Sequence, residues 1–269
     1  MFKNVFHKQI KKVKDSIDNG FNVNMKNKYG ISPLMIAAMN GDYQMSKLLI
    51  NNGANINDKD LCEGTPLLWA AAQDNPKVTE LLIDNGANVN CSNYNAVTPL
   101  TVAARKGKIK IVRELIGNYA NTTAKTTEND TPLTCAIENN FINVAKLLLQ
   151  GNTNLDISKA LLSASKVPNK KTVNWLLNQG ANINVKDNQA YGVTPLIIAS
   201  HQGNLEIFKL LLKNGADIKV KDDNGNTALI HALDRNNLEI VRILIDHQQD
   251  QFFCSSTDNL LKASFYGKT

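Results

Sequence analysis

The sequence is poor in the residues that most often build chemical sites. Its 269 residues include four cysteines, two tryptophans and four histidines, and arginine supplies four of the 30 basic side chains. The cysteines, at positions 62, 91, 135 and 254, form no C-x-x-C pair, and this wide spacing is typical of reduced, unpaired thiols. A basic excess that consists mostly of lysine is a poor composition for bidentate recognition of phosphates or bases, so we expect no nucleic-acid partner.

Long apolar segments are also missing. No hydrophobic run approaches the ~18 residues that a membrane-spanning helix needs, and residues 1–8 lack the apolar core of a secretory signal. With 43% hydrophobic and 20% charged residues, the chain has the composition of an ordinary folded protein. We therefore expect a soluble, cytoplasmic protein that does not bind membranes or, if it comes from a pathogen, one that is delivered into the host cell.

Catalytic and metal-binding patterns are absent as well. The histidines, at positions 7, 201, 231 and 247, never show the H-x-x-x-H spacing that places two ligands on one helix face. We expect no catalytic residues, no cofactor and no metal. The alternative, an enzyme with a cryptic site, would require a deep pocket in which titratable groups cluster.

Repetition and asparagine are what the sequence has in abundance. A Ser/Thr-Pro-Leu phrase begins at residues 32, 65, 98, 131 and 194 and returns as Thr227-Ala228-Leu229; most copies lie 33 residues apart, and residues 159–164 form one degenerate copy. A Gly-Ala phrase followed by Asn or Asp begins at residues 53, 86, 180 and 215, each 21 residues after the start of a copy. The 37 asparagines indicate a genome-composition bias first and turn chemistry second. Such a period predicts stacked structural modules.

Each phrase predicts one part of a module. Ser or Thr before Pro predicts a helix N-cap with Pro at the first helical position. Nine residues after each cap stand residue types that tolerate a left-handed backbone and end a helix, namely Gly41, Asp74, Gly107, Asn140, Gly203 and Asn236. A second amphipathic helix follows, and its end is predicted at the glycine of the Gly-Ala phrase. One module is therefore a helix, a tight turn, a second helix and a hairpin-like finger.

The two phrases in register, 33 residues apart, resemble the ankyrin repeat family over about residues 25–250. The resemblance implies an all-α ankyrin-repeat solenoid with short β-hairpin fingers. We expect an N-terminal capping helix within 1–24, seven repeats over 25–250 with an irregular fifth, and a C-terminal capping half-repeat over 251–269. The family's structural histidine after Thr-Pro-Leu is absent, and its place is taken by Met35, Leu68, Thr101, Thr134, Leu162, Ile197 and Ile230.

Repeat five departs from the pattern. Its finger is short, because Asp156 leads almost directly into the first helix, and its turn position holds Pro168, which cannot adopt a positive φ. Tyr119, in the approach to repeat four, occupies a usual glycine position and would be strained in a left-handed conformation. These departures are interpreted either as drift in tolerant loops or as a hinge or a groove shaped for one partner.

The resemblance implies a non-enzymatic protein-interaction module that binds a protein partner on the concave side, at the finger tips and first helices. Register places ten candidate residues there: Tyr29, Met39, Leu61, Tyr94, Arg105, Lys106, Glu138, Tyr191, His201 and Arg235. Tyrosine and arginine are enriched among interface anchors, although finger-to-finger packing is an alternative for the tyrosines. Trp69 is expected in the core or between repeats.

Two roles fit such a module. It acts either as a scaffold that docks one partner or as an inhibitor, for example a bacterial immunity protein or a secreted effector that occupies a host protein. The Asn/Lys/Ile bias is compatible with an AT-rich microbe or a large virus and does not separate the two roles. We expect a monomer, and the sequence does not identify the partner.

Overall fold

The computed structural model describes residues 1–150, 156–188 and 190–247. The chain divides into two compact units, Met1–Leu155 and a second that begins at Asp156, the first residue of the irregular fifth repeat. The C-terminal half-repeat predicted over 251–269 lies outside the described residues, as does part of the short finger predicted before Asp156. Each unit is described separately.

The first unit is an all-α stack of helix pairs. Its odd-numbered helices contact one another in succession, and its even-numbered helices do the same, so the unit has two helical layers. The helices are α1 (Phe2–Phe6), α2 (Ile10–Asp18), α3 (Pro33–Met39), α4 (Tyr43–Asn51), α5 (Pro66–Ala72), α6 (Pro76–Asp84), α7 (Pro99–Arg105), α8 (Ile109–Gly117), α9 (Pro132–Glu138) and α10 (Ile142–Leu149).

Within the second unit the helices again form two layers. Helices α11, α13 and α15 contact one another in succession, and α12 contacts α14. The helices are α11 (Ile157–Lys166), α12 (Lys170–Asn178), α13 (Pro195–Gln202), α14 (Leu205–Lys213) and α15 (Ala228–Asp234), and residues 238–247 are helical as well. The predicted ankyrin-type helical repeats are confirmed in both units.

The core lies between the two layers and between successive first helices. The leucine of each Ser/Thr-Pro-Leu phrase is at most 1% exposed, at Leu34, Leu67, Leu100, Leu133 and Leu196. Pairs of alanines on the first helices, such as Ala37 and Ala38, are fully buried. Because alanine is small, it allows neighbouring first helices to approach closely while their leucines fill the space between the layers.

The first helices begin where the sequence predicts. The side chains of Ser32, Thr65, Thr98, Thr131 and Thr194 each accept a hydrogen bond from the backbone N–H three residues on, with Pro at the first helical position. Each cap therefore satisfies one of the helix N–H groups that lack an intrahelical partner. Thr227, which Ala228 follows instead of Pro, makes no such bond.

Five of the six predicted left-handed turns are confirmed by positive φ angles; Asp74 is the exception. Helix α5 ends instead with Gln73 in an extended conformation. In repeat five, Val167 is also extended, which is the conformation that a following proline favours. Asn169 then caps α12 by accepting a hydrogen bond from the Thr172 N–H at 3.2 Å.

The N-terminal segment, predicted to contain one capping helix within 1–24, forms two helices. Lys8 has a φ of +56° and separates α1 from α2. Helix α1 contacts α3 and α2 contacts α4, so the pair covers both helical layers of the first repeat, which one straight helix would not do. Only Val5 and Val13 are fully buried, as a one-sided apolar pattern requires.

Asparagine side chains connect successive repeats of the first unit. Asn24 donates to the Gly53 carbonyl at 2.9 Å and accepts from the Asn55 N–H at 2.8 Å. Asn57 and Asn90 make the same pair of bonds one and two repeats further along the chain. We call these three residues the asparagine ladder. One amide satisfies a donor and an acceptor of the next repeat, so these asparagines have a structural role beyond composition bias.

The fingers are tight turns organised by an Asn or Asp side chain. Asn27, Asp60, Asn93 and Asp222 each accept bonds, 2.8–3.0 Å long, from the backbone N–H groups two and four residues on. This side-chain geometry replaces most of the strand pairing of a hairpin. Within the described ranges one isolated β-bridge is found, between Asp187 and Val193.

Substitutions at Gly41 and Gly53 allow the energetic cost of backbone strain to be measured apart from the cost of steric overlap. Both have positive φ, but a Cβ at Gly41 would overlap the side chain of Asn75, whereas a Cβ at Gly53 meets nothing within 4 Å. We expect Gly53→Ala to lower the free energy of unfolding by about 1 kcal/mol through strain alone. Gly41→Ala should lower it by at least about 1 kcal/mol more, because Asn75 must give up its hydrogen bond to the Ala38 carbonyl. Urea unfolding measures both losses, and equal losses would contradict the contact.

The asparagine ladder predicts a second stability difference. Asn57→Ala removes both inter-repeat hydrogen bonds and should lower the free energy of unfolding by about 1 kcal/mol, since the site is exposed and water replaces part of the loss. Asn51→Ala, at an exposed helical position in α4, is the control and should be neutral or slightly stabilising. Chemical denaturation of the two variants tests this, and the ladder would lose its stabilising role if they behaved alike.

Candidate functional site

Three large side chains stand on the finger tips of the first unit. Tyr29 is 57% exposed, Leu61 is 64% exposed and Tyr94 is 70% exposed. The Leu61 N–H donates to the Tyr29 carbonyl at 3.2 Å, and the Tyr94 N–H donates to the Cys62 carbonyl at 3.3 Å. Neighbouring fingers are thus joined through their main chains, while the three side chains remain in solvent.

The candidate residues on the first helices of this unit differ in their exposure and in the contacts that they make. Lys106 is exposed, whereas Met39 and Glu138 are half-buried. The Arg105 guanidinium lies 3.4 Å from an Asp130 carboxylate oxygen and 3.5 Å from the Cys135 sulfur, so it links two repeats. Exposed ion pairs of this kind contribute at most about 1 kcal/mol, so a partner carboxylate can compete for Arg105.

Cys135 itself is not a reactive group. Its side chain is 1% exposed, and burial raises the pKa of the thiol although Arg105 acts in the opposite direction. Burial likewise raises the pKa of Cys91, whose sulfur lies 3.0 Å from the Thr65 hydroxyl. Both cysteines remain protonated at neutral pH and serve as packing groups, because the thiolate is the nucleophilic form.

The second unit contains the other three candidate residues. Tyr191 and His201 belong to repeat six, and Arg235 belongs to repeat seven. Tyr191 is 72% exposed and has a φ of +55°, an uncommon conformation for an aromatic residue. The Arg235 Nε donates to the His201 Nε2 at 2.9 Å, and this bond joins the ends of α13 and α15. The sequence named all three residues but did not predict that His201 and Arg235 are partners.

The two first-helix histidines of this unit belong to one polar network. The His231 ring lies edge-on to the His201 ring with centroids 5.8 Å apart, and its Nε2 is 2.8 Å from the Asp222 carboxylate. Burial lowers the pKa of His201, and the positive charge of Arg235 and the proximity of His231 lower it further. For Asp222, burial opposes ionisation, but the hydrogen bonds from His231 and from two backbone N–H groups outweigh it and lower the pKa.

Trp69 occupies the same position in repeat two that His231 occupies in repeat seven. Its indole Nε1 donates to the Asp60 carboxylate at 2.9 Å, as the His231 ring contacts Asp222. Trp69 is half-buried and lines a pocket with residues of the first repeat, so of the two expected places, core or between repeats, it takes the second. Each of these two pairs ties its finger to the first helix that follows, and the two residues of each pair are nine positions apart.

An apolar pocket that the sequence did not predict lies beside Trp69. It has a volume of about 200 Å³ and is lined by Phe6, Ile31, Met35, Ile36, Met39 and Trp69. These residues come from α1, the first finger, α3 and α5, so neither periodicity nor spacing brings them together.

Several classes of site are absent from the part of the chain that the structure describes. Those residues contain no group of three or more His, Cys, Asp or Glu side chains that could hold a metal ion. None of the helices within the same described ranges is long and apolar enough to cross a membrane.

Comparison with known proteins agrees with the geometry. A sequence profile described as "Ankyrin repeats (3 copies)" matches residues 3–93, 89–159 and 161–253. The chain belongs to the ankyrin repeat family. Ankyrin repeats are in general non-enzymatic protein-interaction modules, and the exposed finger tips are the part of each repeat that framework packing leaves free.

Several known proteins are similar to parts of the chain. It is 32% identical over 106 residues to glycerophosphocholine phosphodiesterase GDE1 of Candida albicans, covering 37% of this chain and 9% of the relative. It is 37% identical over 98 residues to interferon antagonist OPG039 of monkeypox virus, covering 36% and 32%. It is 36% identical over 107 residues to interferon antagonist OPG040 of vaccinia virus, covering 40% and 36%. The matched region thus spans about a third of the viral relatives and far less of the fungal enzyme.

The bond between Arg235 and His201 predicts a pH dependence. His201 must be neutral to accept it, and its pKa in the folded protein lies below the ordinary value of about 6.5 that it has in the unfolded chain. The unfolded chain therefore binds this proton more tightly, so the stability contribution is complete above about pH 6.5 and is lost as the pH falls below it. NMR titration of the His201 ring should give a low pKa that Arg235→Gln raises.

The control for this titration is Arg242→Gln, which removes an exposed arginine from the next helix without touching His201. It should leave the His201 pKa close to that of the unaltered protein. The network would be wrong if His201 titrated at its ordinary pKa in the unaltered chain, or if both arginine substitutions shifted the pKa equally.

Proposed function

We propose that this ankyrin repeat protein is a non-enzymatic interaction module that binds a protein partner through its finger surface. The finger surface consists of the finger tips and the exposed ends of the first helices. In the first unit it comprises Tyr29, Met39, Leu61, Tyr94, Arg105, Lys106 and Glu138, and in the second unit Tyr191, His201 and Arg235. The observation that supports this most directly is the row of exposed side chains at Tyr29, Leu61 and Tyr94.

The row is well suited to binding because its backbone is already ordered. Each tip is held by hydrogen bonds that its backbone N–H groups donate to an Asn or Asp side chain within the finger, and by a main-chain bond to a neighbouring finger. A partner that contacts these tips loses little additional conformational entropy from the module. Tyrosine adds a large, rigid contact area with a hydroxyl at its end, which is typical of interface hot spots.

A second role is inhibition of the partner. Two relatives from poxviruses carry the name interferon antagonist, which favours a module that occupies a partner over one that assembles a complex. In either role we propose that the module acts as a monomer in the cytoplasm and that its partner is neither nucleic acid nor membrane.

Affinity capture from the source cell, followed by titration of the purified partner, tests the binding surface. The double variant Tyr94→Ser/Arg105→Gln should weaken binding by ~2 kcal/mol or more, about 30-fold, because it removes an aromatic anchor from the finger and a charge from the first helix of the same repeat. The matched control Tyr119→Ser/Arg113→Gln removes an exposed tyrosine and an exposed arginine from the second-helix side of the same repeat.

The control variant should bind the partner as the unaltered chain does. Unchanged binding by Tyr94→Ser/Arg105→Gln would reject the finger surface as the binding site. Measurement of the partner's own activity with and without the module then separates inhibition from scaffolding, since only an inhibitor lowers that activity.

A further inference from the structure

The sequence contains six Asn-Gly pairs, and all of them lie within the described residues. The pairs begin at Asn19, Asn40, Asn52, Asn85, Asn214 and Asn224. Asparagine is a thermolabile residue. A following glycine makes it more reactive, because a residue without a Cβ leaves its backbone nitrogen open to the asparagine side chain. The six pairs share this local sequence, so the fold decides which of them reacts.

The reaction open to such a pair is spontaneous deamidation. The backbone nitrogen of the glycine loses its proton and attacks the asparagine Cγ; a C–N bond forms, the Cγ–Nδ2 bond breaks, and ammonia leaves with that proton. Water then opens the cyclic imide at one of its two carbonyls and gives aspartate or isoaspartate. The sequence of steps needs no oxidant, reductant or enzyme. It does require that the asparagine side chain and main chain turn until Cγ meets the glycine nitrogen.

In five of the six pairs, the asparagine side chain is held by a hydrogen bond. Asn40 donates from Nδ2 to the Phe6 carbonyl at 3.2 Å. The other four donate from Nδ2 to the carbonyl four residues earlier, at 2.7–2.8 Å; they are Asn19, Asn52, Asn85 and Asn214. Each of these side chains must break its bond before Cγ can approach the glycine nitrogen.

The same five asparagines are also restrained in their main chain. They are the C-cap residues of α2, α3, α4, α6 and α14, and the backbone N–H of each donates to carbonyls of its own helix. Rotation of a cap residue would open the last turn of its helix. Deamidation at these five positions therefore requires local unfolding of a helix end.

Asn224 has neither restraint. It lies in the finger of repeat seven, outside the helices, and is exposed. Its backbone N–H donates to the Asp222 carboxylate at 2.9 Å, and none of the hydrogen bonds found within the described ranges involves its side chain. The Gly225 N–H donates to the Asp222 carbonyl at 3.0 Å. In every other pair the glycine N–H is also bonded to the carbonyl three residues earlier, so this bond does not distinguish Asn224.

We propose that Asn224 is a spontaneous modification site, at which deamidation adds a negative charge to the finger of repeat seven, and that helix capping protects the other five pairs. The inference goes beyond the proposed function and does not rest on it. It identifies the reactants as water and the Asn224–Gly225 pair itself, and the products as ammonia and an aspartyl or isoaspartyl residue.

The two products affect the finger differently. The Asn226 N–H donates to the Asp222 carboxylate at 2.8 Å, and the same carboxylate lies 2.8 Å from the His231 Nε2. Isoaspartate adds a methylene to the main chain between residues 224 and 225, inside the turn that the Asn226 bond closes. Conversion to isoaspartate therefore releases the Asn226 bond, whereas conversion to aspartate adds the charge alone.

Mass spectrometry of the full chain tests the site, because trypsin places each of the six pairs in a separate peptide. The folded protein is incubated at mildly alkaline pH, which promotes loss of the glycine proton, and is digested at intervals. The peptide of residues 222–235 should deamidate at least about ten-fold faster than the other five, since each of those must first break a side-chain bond and open a helix end. A parallel incubation in urea should bring the six rates within about three-fold of one another, because little residual structure then distinguishes the pairs.

Variants of the full chain separate the reaction from its consequence. Asn224→Gln requires closure of a larger ring and should leave the peptide of residues 222–235 unmodified. The matched control Asn52→Gln, at a protected pair, should not change the rate at Asn224. Asn224→Asp supplies the charge without the extra methylene and should leave the Asn226 amide protected from hydrogen exchange in NMR spectra, whereas isoaspartate in the aged protein should remove that protection.

Three outcomes would contradict the site. One is a helix-capping asparagine that reacts as fast as Asn224 in the folded protein. Another is a ten-fold lead of Asn224 that persists in urea, which would make its rate a property of the local sequence and not of the fold. The last is an unmodified Asn224 in the folded protein over a period in which the urea sample reacts.

Discussion

Every feature of this protein depends on the fact that one repeat cannot bury its apolar surface alone. A pair of helices seven to ten residues long has too little area to form a core, so each pair within a unit is covered by its neighbours. The buried leucines and the fully buried alanine pairs of the first helices make that contact close. Packing between repeats buries one side of each first helix. The C-terminal end of that helix and the finger tip lie outside the apolar core, so these positions are available for recognition.

Hydrogen bonds from and to polar side chains stabilise the loops in addition to the apolar packing of the helices. The asparagine ladder holds the loops of the first unit together, and the Asn or Asp at the base of each finger closes the turn. Backbone groups in loops would otherwise bond to water and move. The loops are ordered instead, so Tyr29, Leu61 and Tyr94 are presented at defined positions although none of them is packed.

The same framework carries different chemistry in different repeats. Asp60 with Trp69 and Asp222 with His231 are equivalent pairs, yet one adjoins an apolar pocket and the other a histidine whose pKa is lowered. Arg105 is held by Asp130 in the first unit, and Arg235 is held by His201 in the second. Since framework and recognition residues vary independently, membership of the ankyrin family establishes the fold and leaves the partner to the particular surface.

The sequence by itself determined the features that depend on neighbouring residues: the helix caps, five of six left-handed turns, the two-helix repeat and the exposed finger tips. These follow from local backbone geometry and hydrophobic period, which any short segment contains. Tertiary structure alone decided the division of the N-terminal segment into α1 and α2, the bonds of Arg105 and Arg235 to residues 25 and 34 positions away, and the pocket shared by α1, α3 and α5. Such contacts arise only when repeats stack, because the stacking geometry, and not the spacing along the chain, brings those side chains within reach of one another.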